Sequence, residues 1–289
     1  MSSYTYYVNG DFVNADEAGV SFHDLGFVRG YGVFDFLRTY GRVPFRLVPH
    51  LQRLQHSAAA IDLACPWSLE ELEHICLETL ARCPGVENVS IRPVITGGYS
   101  SGFLMPTETP SLYVLIAPFN QTDPHLFTEG ASLVTVDYAR FLPSVKSLNY
   151  ITAIRALKKA RAAGAVEALY RTTTDHVTEC TTSNFFIFRD GRLITSDVDV
   201  LDGVTRRAAL DAAEDLYDID YRLIALDELG SADEAFITST TKEILPIVRV
   251  DDVVIGDGAV GKHTQRLMAA LSALVRSETL EKQGAGRGQ

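Results

Sequence analysis

Two helical stretches that follow one another with no strand between them set the first limit on how this chain can fold. From Val48 to Leu63 the apolar residues Leu51, Leu54, Ala58 and Ile61 recur at helical spacing. A second helix starts at Ser68, where Ser68 and Glu71 form a capping box. Strand-like segments flank the pair. Tyr6–Val13 reads as a hairpin, with Asn9-Gly10 supplying the positive φ angles of a tight turn. Val33–Tyr40 reads as a strand that turns at Gly41-Arg42, and strands follow at 89–96 and 112–117. Strands gathered around two consecutive helices exclude a repeated βαβ unit and predict an α+β domain.

Between Pro118 and Gly130 the chain turns polar, carries Pro124 and loses its periodicity, which predicts a domain boundary. Beyond it the pattern predicts a strand at 131–138, a helix at 150–163 and a hairpin of 184–188 with 193–195. Helices are expected at 204–217 and 263–277, and a short strand at 234–238 runs into Ser239-Thr240-Thr241. The expected organisation is a smaller α+β domain over 1–118 and a linker over 119–130. A larger strand-and-helix domain follows over 131–280, then a disordered tail over 281–289.

Composition removes several function classes. With 26 basic and 37 acidic residues the net charge is −11, so no nucleic-acid partner is expected. No run approaches the ~20 apolar residues of a membrane span, and no basic-then-apolar start suggests a signal peptide. Cys65, Cys76, Cys83 and Cys180 form no CxxC pair, so no metal site is expected and a reduced, cytoplasmic setting fits.

Candidate chemistry is confined to a few residues. Of six lysines, Lys158 and Lys159 lie on a charged helix face, whereas Lys146 has uncharged neighbours on both sides. A lysine partly desolvated there suits Schiff-base chemistry, and a surface lysine near a helix start is the plain alternative. Glu179 precedes the hydroxyl run Thr181-Thr182-Ser183 and can face a cation or a protonated nitrogen, although the segment in isolation favours a loop acid beside turn-forming residues. Gly203-Val204-Thr205 opens a helix and Ser239-Thr240-Thr241 follows a strand, both suited to an oxyanion, to which Arg53 can add a bidentate charge. His23, His50 and Cys180 carry no local sign of a catalytic role.

The order of these features is more specific than any one of them. VKSLNY (145–150), VTECTTSNFFIF (177–188), GVTR (203–206) and FITSTTKEILPI (236–247) together resemble the fold-type IV aminotransferases that use pyridoxal 5′-phosphate. The resemblance runs from about residue 6 to about residue 275. It implies a two-domain α+β fold with the cofactor between the domains, in a homodimer whose active site lies near the subunit interface. It also implies that Lys146 binds the cofactor aldehyde and shuttles the proton, and that Glu179 pairs with the pyridine nitrogen. Arg53, Val204, Thr205, Ser239 and Thr240 match the phosphate cup. Tyr150 matches a tyrosine that meets the cofactor 3′-oxygen, and Thr241 lies at the substrate end.

Departures from the family pattern bear on the substrate. The segment Phe27–Arg38 looks like the substrate-lining strand of the branched-chain enzymes, which places Phe34 in the pocket. There a tyrosine usually stands where this chain has Arg29, and a glycine where it has Phe36. Ser90-Ile91-Arg92-Pro93 has Ser90 in place of a tyrosine, and Ser239-Thr240-Thr241 looks like the D-amino acid enzymes. Arg29 and Arg92 are therefore expected to hold the substrate α-carboxylate, which would present the Cα–H of a D-amino acid to Lys146. The alternative for Arg29 is a salt bridge to Asp24 or Asp35. The expected reaction is ping-pong transfer of the amine from a D-amino acid to a 2-oxo acid such as 2-oxoglutarate or pyruvate. L-branched-chain transamination, (R)-amine transamination and aminodeoxychorismate lyase activity are the rival expectations.

Overall fold

A computed structural model of the chain describes residues 4–85 and 87–286. The chain forms two units. One comprises the chain through Asn120, the segment Val145–Asn149 and the chain from Glu278; the other comprises Gln121–Ser144 and Tyr150–Ser277.

The first unit carries strands β1 (Thr5–Val8), β2 (Asp11–Asn14), β3 (Gly32–Phe34), β4 (Leu37–Tyr40), β5 (Val43–Pro44), β6 (Val89–Thr96) and β7 (Ser111–Pro118). They make an antiparallel sheet in the order β2-β1-β7-β6-β4-β5, with β3 also on β6. The predicted pair of consecutive helices is α2 (Leu47–Ala59) and α3 (Leu69–Ala81), and the Ser68/Glu71 capping box is formed. Leu51, Leu54 and Ala58 of α2 and Leu72, Cys76 and Leu80 of α3 bury their side chains with Leu37, Ile91 and Val114 of the sheet. A five-residue helix, α1 (Leu25–Arg29), precedes them; it is too short for apolar periodicity to announce.

The expected strand over 33–40 is interrupted. β3 and β4 keep one register on β6, with Phe34 opposite Val94 and Leu37 opposite Ile91, but the ladder opens between them. The cause is Pro93, which has no N–H to give. Asp35 N donates to the Pro93 carbonyl at 2.9 Å, no bond returns, and Phe36 N turns to the Asp35 carboxylate at 2.7 Å.

The second unit contains α4 (His125–Glu129), β8 (Ala131–Asp137), α5 (Ile151–Ala162), β9 (Glu167–Arg171), β10 (His176–Cys180), β11 (Asn184–Arg189) and β12 (Arg192–Thr195). It continues with α6 (Val204–Ala213), β13 (Ile219–Tyr221), β14 (Ile224–Ala225), β15 (Glu234–Ser239), β16 (Glu243–Val250), β17 (Val253–Val254) and α7 (Lys262–Gly286). Its sheet runs β13-β12-β11-β15-β16-β8-β9-β10-β14, and β10 also pairs with β11. That extra pairing closes β11, β15, β16, β8, β9 and β10 into a ring, and its rung is Glu179 opposite Asn184. Phe185, Ile187, Leu169, Ile237 and Leu245 fill the core.

Several boundaries differ from the sequence reading. The polar segment expected as a linker holds α4, and α6 stops at Ala213 rather than at 217. The tail expected from residue 281 starts inside α7, which runs to Gly286; residues 287–289 lie outside the described residues.

Glu234 fixes the start of α7. Its carboxylate accepts from His263 N at 3.0 Å and Thr264 N at 2.7 Å, two of the donors that a helix start leaves unbonded. Glu234→Ala is expected to lower stability by about 1–3 kcal/mol, read as a lower urea midpoint.

Candidate active site

Lys146 is held from both sides of its peptide by the first unit. Its N–H donates to Ser57 Oγ at 3.1 Å, and its carbonyl accepts from Phe34 N at 3.0 Å. Ser147 bridges to Val33, and Leu148 N donates to the Gly32 carbonyl at 3.0 Å. The lysine thus rides on β3 although it lies more than a hundred residues away in sequence. Its Nζ sits 4.8 Å from the centre of the Phe34 ring.

The same ring meets a second cation. The Arg92 guanidinium carbon lies 5.7 Å from the Phe34 ring centre and 5.2 Å from that of Phe36. Phe34 and Phe36 share one face of the interrupted strand, and Asp35 points to the other. Arg29 is exposed, and its guanidinium donates to its neighbour, the Val28 carbonyl, at 3.0 Å. Among the described residues Arg29 and Arg92 share no partner, and neither meets an acid. The alternative salt bridge from Arg29 is absent: Asp24 accepts from Gly26 N, Thr96 and Tyr113, and Asp35 is engaged elsewhere.

Asp35 is fully buried and paired with Arg53, the expected phosphate ligand. Nε of Arg53 donates to Oδ2 at 2.9 Å and Nη2 to Oδ1 at 2.8 Å, a fork geometry. His50, one turn earlier on α2, places Nδ1 at 2.6 Å from Oδ1. Burial pushes the Asp35 carboxyl up, but Arg53 and His50 outweigh it and hold it well below the usual aspartate range. Burial also lowers the pKa of His50, against the pull of Asp35. His50, Arg53 and Ser57 therefore line one face of α2 at i, i+3 and i+7, and all three serve the segment around Asp35 and Lys146.

In the second unit Glu179 is buried at the barrel closure. Arg140 Nη1 donates to Oε1 at 2.6 Å, while Asn184 Nδ2 at 3.2 Å and Leu201 N at 3.0 Å donate to Oε2. Asn184 also donates to the Leu201 carbonyl at 2.7 Å, so it pins the chain leading into α6. Gly203 begins that helix with φ −68°, no side chain caps it, and no acid lies in its first turn. A Cβ on Gly203 would come within 2.1 Å of Asn184 Oδ1, so only glycine fits. Val204 and Thr205 stand at this uncapped start, where free N–H groups favour an anion. Ser239 Oγ lies 3.3 Å from Thr241 Oγ1 in the turn after β15, and the Thr241 carbonyl accepts from Thr122. Tyr150 precedes α5, and its carbonyl accepts from Ile154 N. Burial pushes the Cys180 thiol well above its ordinary value, which removes thiolate chemistry there.

Sequence reading missed Asp35, Ser57, Arg140 and Asn184. The spacing of His50, Arg53 and Ser57 on one helix was visible. Arg140 carries no local signal, because its partner lies 39 residues away.

The family model described as amino-transferase class IV matches residues 32–250. Over 271 residues the chain is 35% identical to the putative branched-chain-amino-acid aminotransferase of Methanocaldococcus jannaschii, covering 90% of this chain and 93% of that protein. It is also 35% identical over 271 residues to the D-alanine aminotransferase of Listeria monocytogenes, covering 90% and 92%. Among solved structures, a T.th. branched-chain amino acid aminotransferase with pyridoxamine 5′-phosphate matches with a TM-score of 0.89 at 29% identity, over 98% of both chains.

The Asp35 cluster has a defined pH signature. A lowered carboxylate pKa stabilises the fold above the ordinary value of 3.8, and this contribution is lost as pH falls below it. The lowered His50 pKa acts in the same direction, starting below its ordinary 6.5. Asp35→Asn is expected to cost about 3–5 kcal/mol at neutral pH by removing the buried carboxylate that Arg53 and His50 face. Urea titrations from about pH 4 to 2 should show a shallower acid dependence in the variant than in the parent.

Proposed function

The chain belongs to the class IV aminotransferases, pyridoxal 5′-phosphate-dependent enzymes, and from that premise we propose that it is a D-amino acid transaminase. The amine passes from a D-amino acid to a 2-oxo acid, 2-oxoglutarate or pyruvate, in two half-reactions. The observation that carries this reading is the shared Phe34 ring, with the Lys146 amine and the Arg92 guanidinium both against it. A guanidinium so placed can hold a carboxylate beside the amine that must move the substrate's α-proton.

The residues present fit the cofactor. The uncapped start of α6, free of acids in its first turn, suits a phosphate at Val204 and Thr205. Ser239, Thr240 and Arg53 are assigned to the same phosphate. The buried Glu179 is the carboxylate for the ring nitrogen, and Tyr150 the donor to the 3′-oxygen. Bound pyridoxal 5′-phosphate supplies an aldehyde for the substrate amine and a ring that draws off electrons from the substrate carbon.

Lys146 Nζ would move the proton from the substrate Cα to the C4′ side of the bound cofactor within one half-reaction, and in the opposite direction, to the Cα of the accepting 2-oxo acid, in the other. The aromatic face of Phe34 orients that amine while the Ser57 and Phe34 backbone contacts fix the lysine main chain. Glu179 is held at its place by Arg140, Asn184 and Leu201 N, which all donate to it. Arg92, with Arg29 supplied by the partner subunit of a homodimer, binds the α-carboxylate, and Thr241 completes the substrate end. The enzyme works in the cytoplasm.

One observation favours a second reading, L-branched-chain transamination: the relatives of that name and the D-alanine enzymes are equally similar to this chain. A single half-reaction separates the two. Loss of the cofactor's visible band with D-alanine or D-glutamate, and not with L-leucine, is the expected result; the reverse would overturn the D-specific assignment.

Lys146→Ala is expected to abolish turnover in a protein that still folds. Arg92→Ala and Arg29→Ala are expected to raise KM for D-amino acids about 10–100-fold while changing that for (R)-1-phenylethylamine far less. Equal losses for both donors in steady-state assays would exclude the carboxylate clamp.

A further inference from the structure

The hydroxyl run after Glu179 has a partner of its own. Glu167, at the start of β9, is buried at 1% exposure and gathers five donors. Thr181 Oγ1 and Thr182 N each donate to Oε2 at 2.7 Å. Thr182 Oγ1 at 2.9 Å, Ser183 Oγ at 2.5 Å and Lys242 Nζ at 2.8 Å donate to Oε1. Lys242 comes from a different place, the turn joining β15 to β16 directly after Ser239-Thr240-Thr241, and its N–H returns to the Ser239 carbonyl at 3.2 Å.

We propose that Glu167 and Lys242 are a positioning pair that ties the tip of the β10–β11 hairpin to the tip of the β15–β16 hairpin. The first tip is Thr181–Ser183, flanked by Glu179 and Asn184, which form the closing rung of the barrel. The second tip carries Ser239, Thr240 and Thr241. One carboxylate thereby sets the spacing of two groups assigned above to the cofactor, and the proposal rests on that assignment.

A packing role alone does not account for the pair. Removing two charges from water costs several kcal/mol, and an apolar pair of similar volume would serve folding as well. What an apolar pair cannot do is orient three hydroxyls and an N–H around one point. All three hydroxyls of the run and Thr182 N point at Glu167, so the carboxylate orders the loop. Burial raises the pKa of Glu167, but Lys242 and the hydroxyls outweigh it and hold it below the ordinary glutamate range, so all five donors meet an anion at neutral pH.

The test uses the holoenzyme and four variants: Glu167→Gln, Lys242→Met, their double, and Lys242→Arg. The readouts are the pH midpoint of the bound cofactor's visible band, cofactor retention on dialysis, and the melting temperature. Glu167→Gln and Lys242→Met are expected to weaken cofactor retention about tenfold and to move the pH midpoint, because the surroundings of Glu179 shift. Lys242→Arg should restore both, and the double variant should lose little more than Glu167→Gln alone. A lower melting temperature with unchanged midpoint and retention would overturn the proposal and leave a packing pair. If Glu167→Gln does not fold, Lys242→Met, whose side chain is 15% exposed in the parent, carries the same test. Failure of the underlying assignment looks different: the parent protein would then show no visible band that Lys146→Ala removes.

Discussion

The second unit depends on a buried anion at a seam. Glu179 and Asn184 form the rung that closes the six-stranded ring, and the Glu179 side chain lies at the same point. A closed barrel has no free edge strands, so the seam is where register must be most firmly specified. Asn184 does this twice, once through the rung and once through its side chain to Glu179 and to Leu201. The same amide excludes any side chain at Gly203 and so sets where α6 begins. Barrel closure, carboxylate placement and the uncapped helix start are thus one constraint, with one asparagine as its centre.

The first unit solves a related problem with a defect. Pro93 in an inner strand withholds one hydrogen bond, and the ladder opens opposite Asp35. That opening lets a fully buried carboxylate turn toward α2, where Arg53 and His50 neutralise it. Phe34 and Phe36, on either side of Asp35, face the other way and meet Lys146 and Arg92. One residue lacking an N–H therefore separates the buried Asp35–Arg53 pair from the Lys146 amine across a single strand.

How much of this was legible depended on whether the signal was local. The α2–α3 pair, the capping box at Ser68 and the Asn9-Gly10 hairpin were read correctly because each rests on neighbours within a turn or two. The strand over 33–40 was readable as a strand, but its break was not, because the cause lies at Pro93 on another strand. Lys146, Glu179 and Gly203 stood out by their neighbours. Their supports did not: Ser57 holds Lys146 across 89 residues and Arg140 meets Glu179 across 39. The hydroxyls of Thr181–Ser183 were read as turn residues or as surroundings of Glu179, whereas they face Glu167, which no local pattern marks.

Charge pairing sets Arg29 and Arg92 apart from the cations that lie beside buried acids. Acids outnumber bases 37 to 26 in this chain, so a guanidinium readily finds a carboxylate. The buried acids have taken their share: Asp35 holds Arg53, Glu179 holds Arg140, Glu167 holds Lys242, and Glu234 uses a helix start instead. Each of those cations has an acid beside it. Arg29 is exposed with a backbone carbonyl, and Arg92 is exposed against two aromatic rings, among the described residues without an acid at either. Aromatic faces hold an arginine in place without neutralising it, leaving its fork of N–H donors available to a ligand. In a chain with surplus carboxylates, Arg92 so placed near the Lys146 amine has the geometry that the proposed carboxylate-binding role requires.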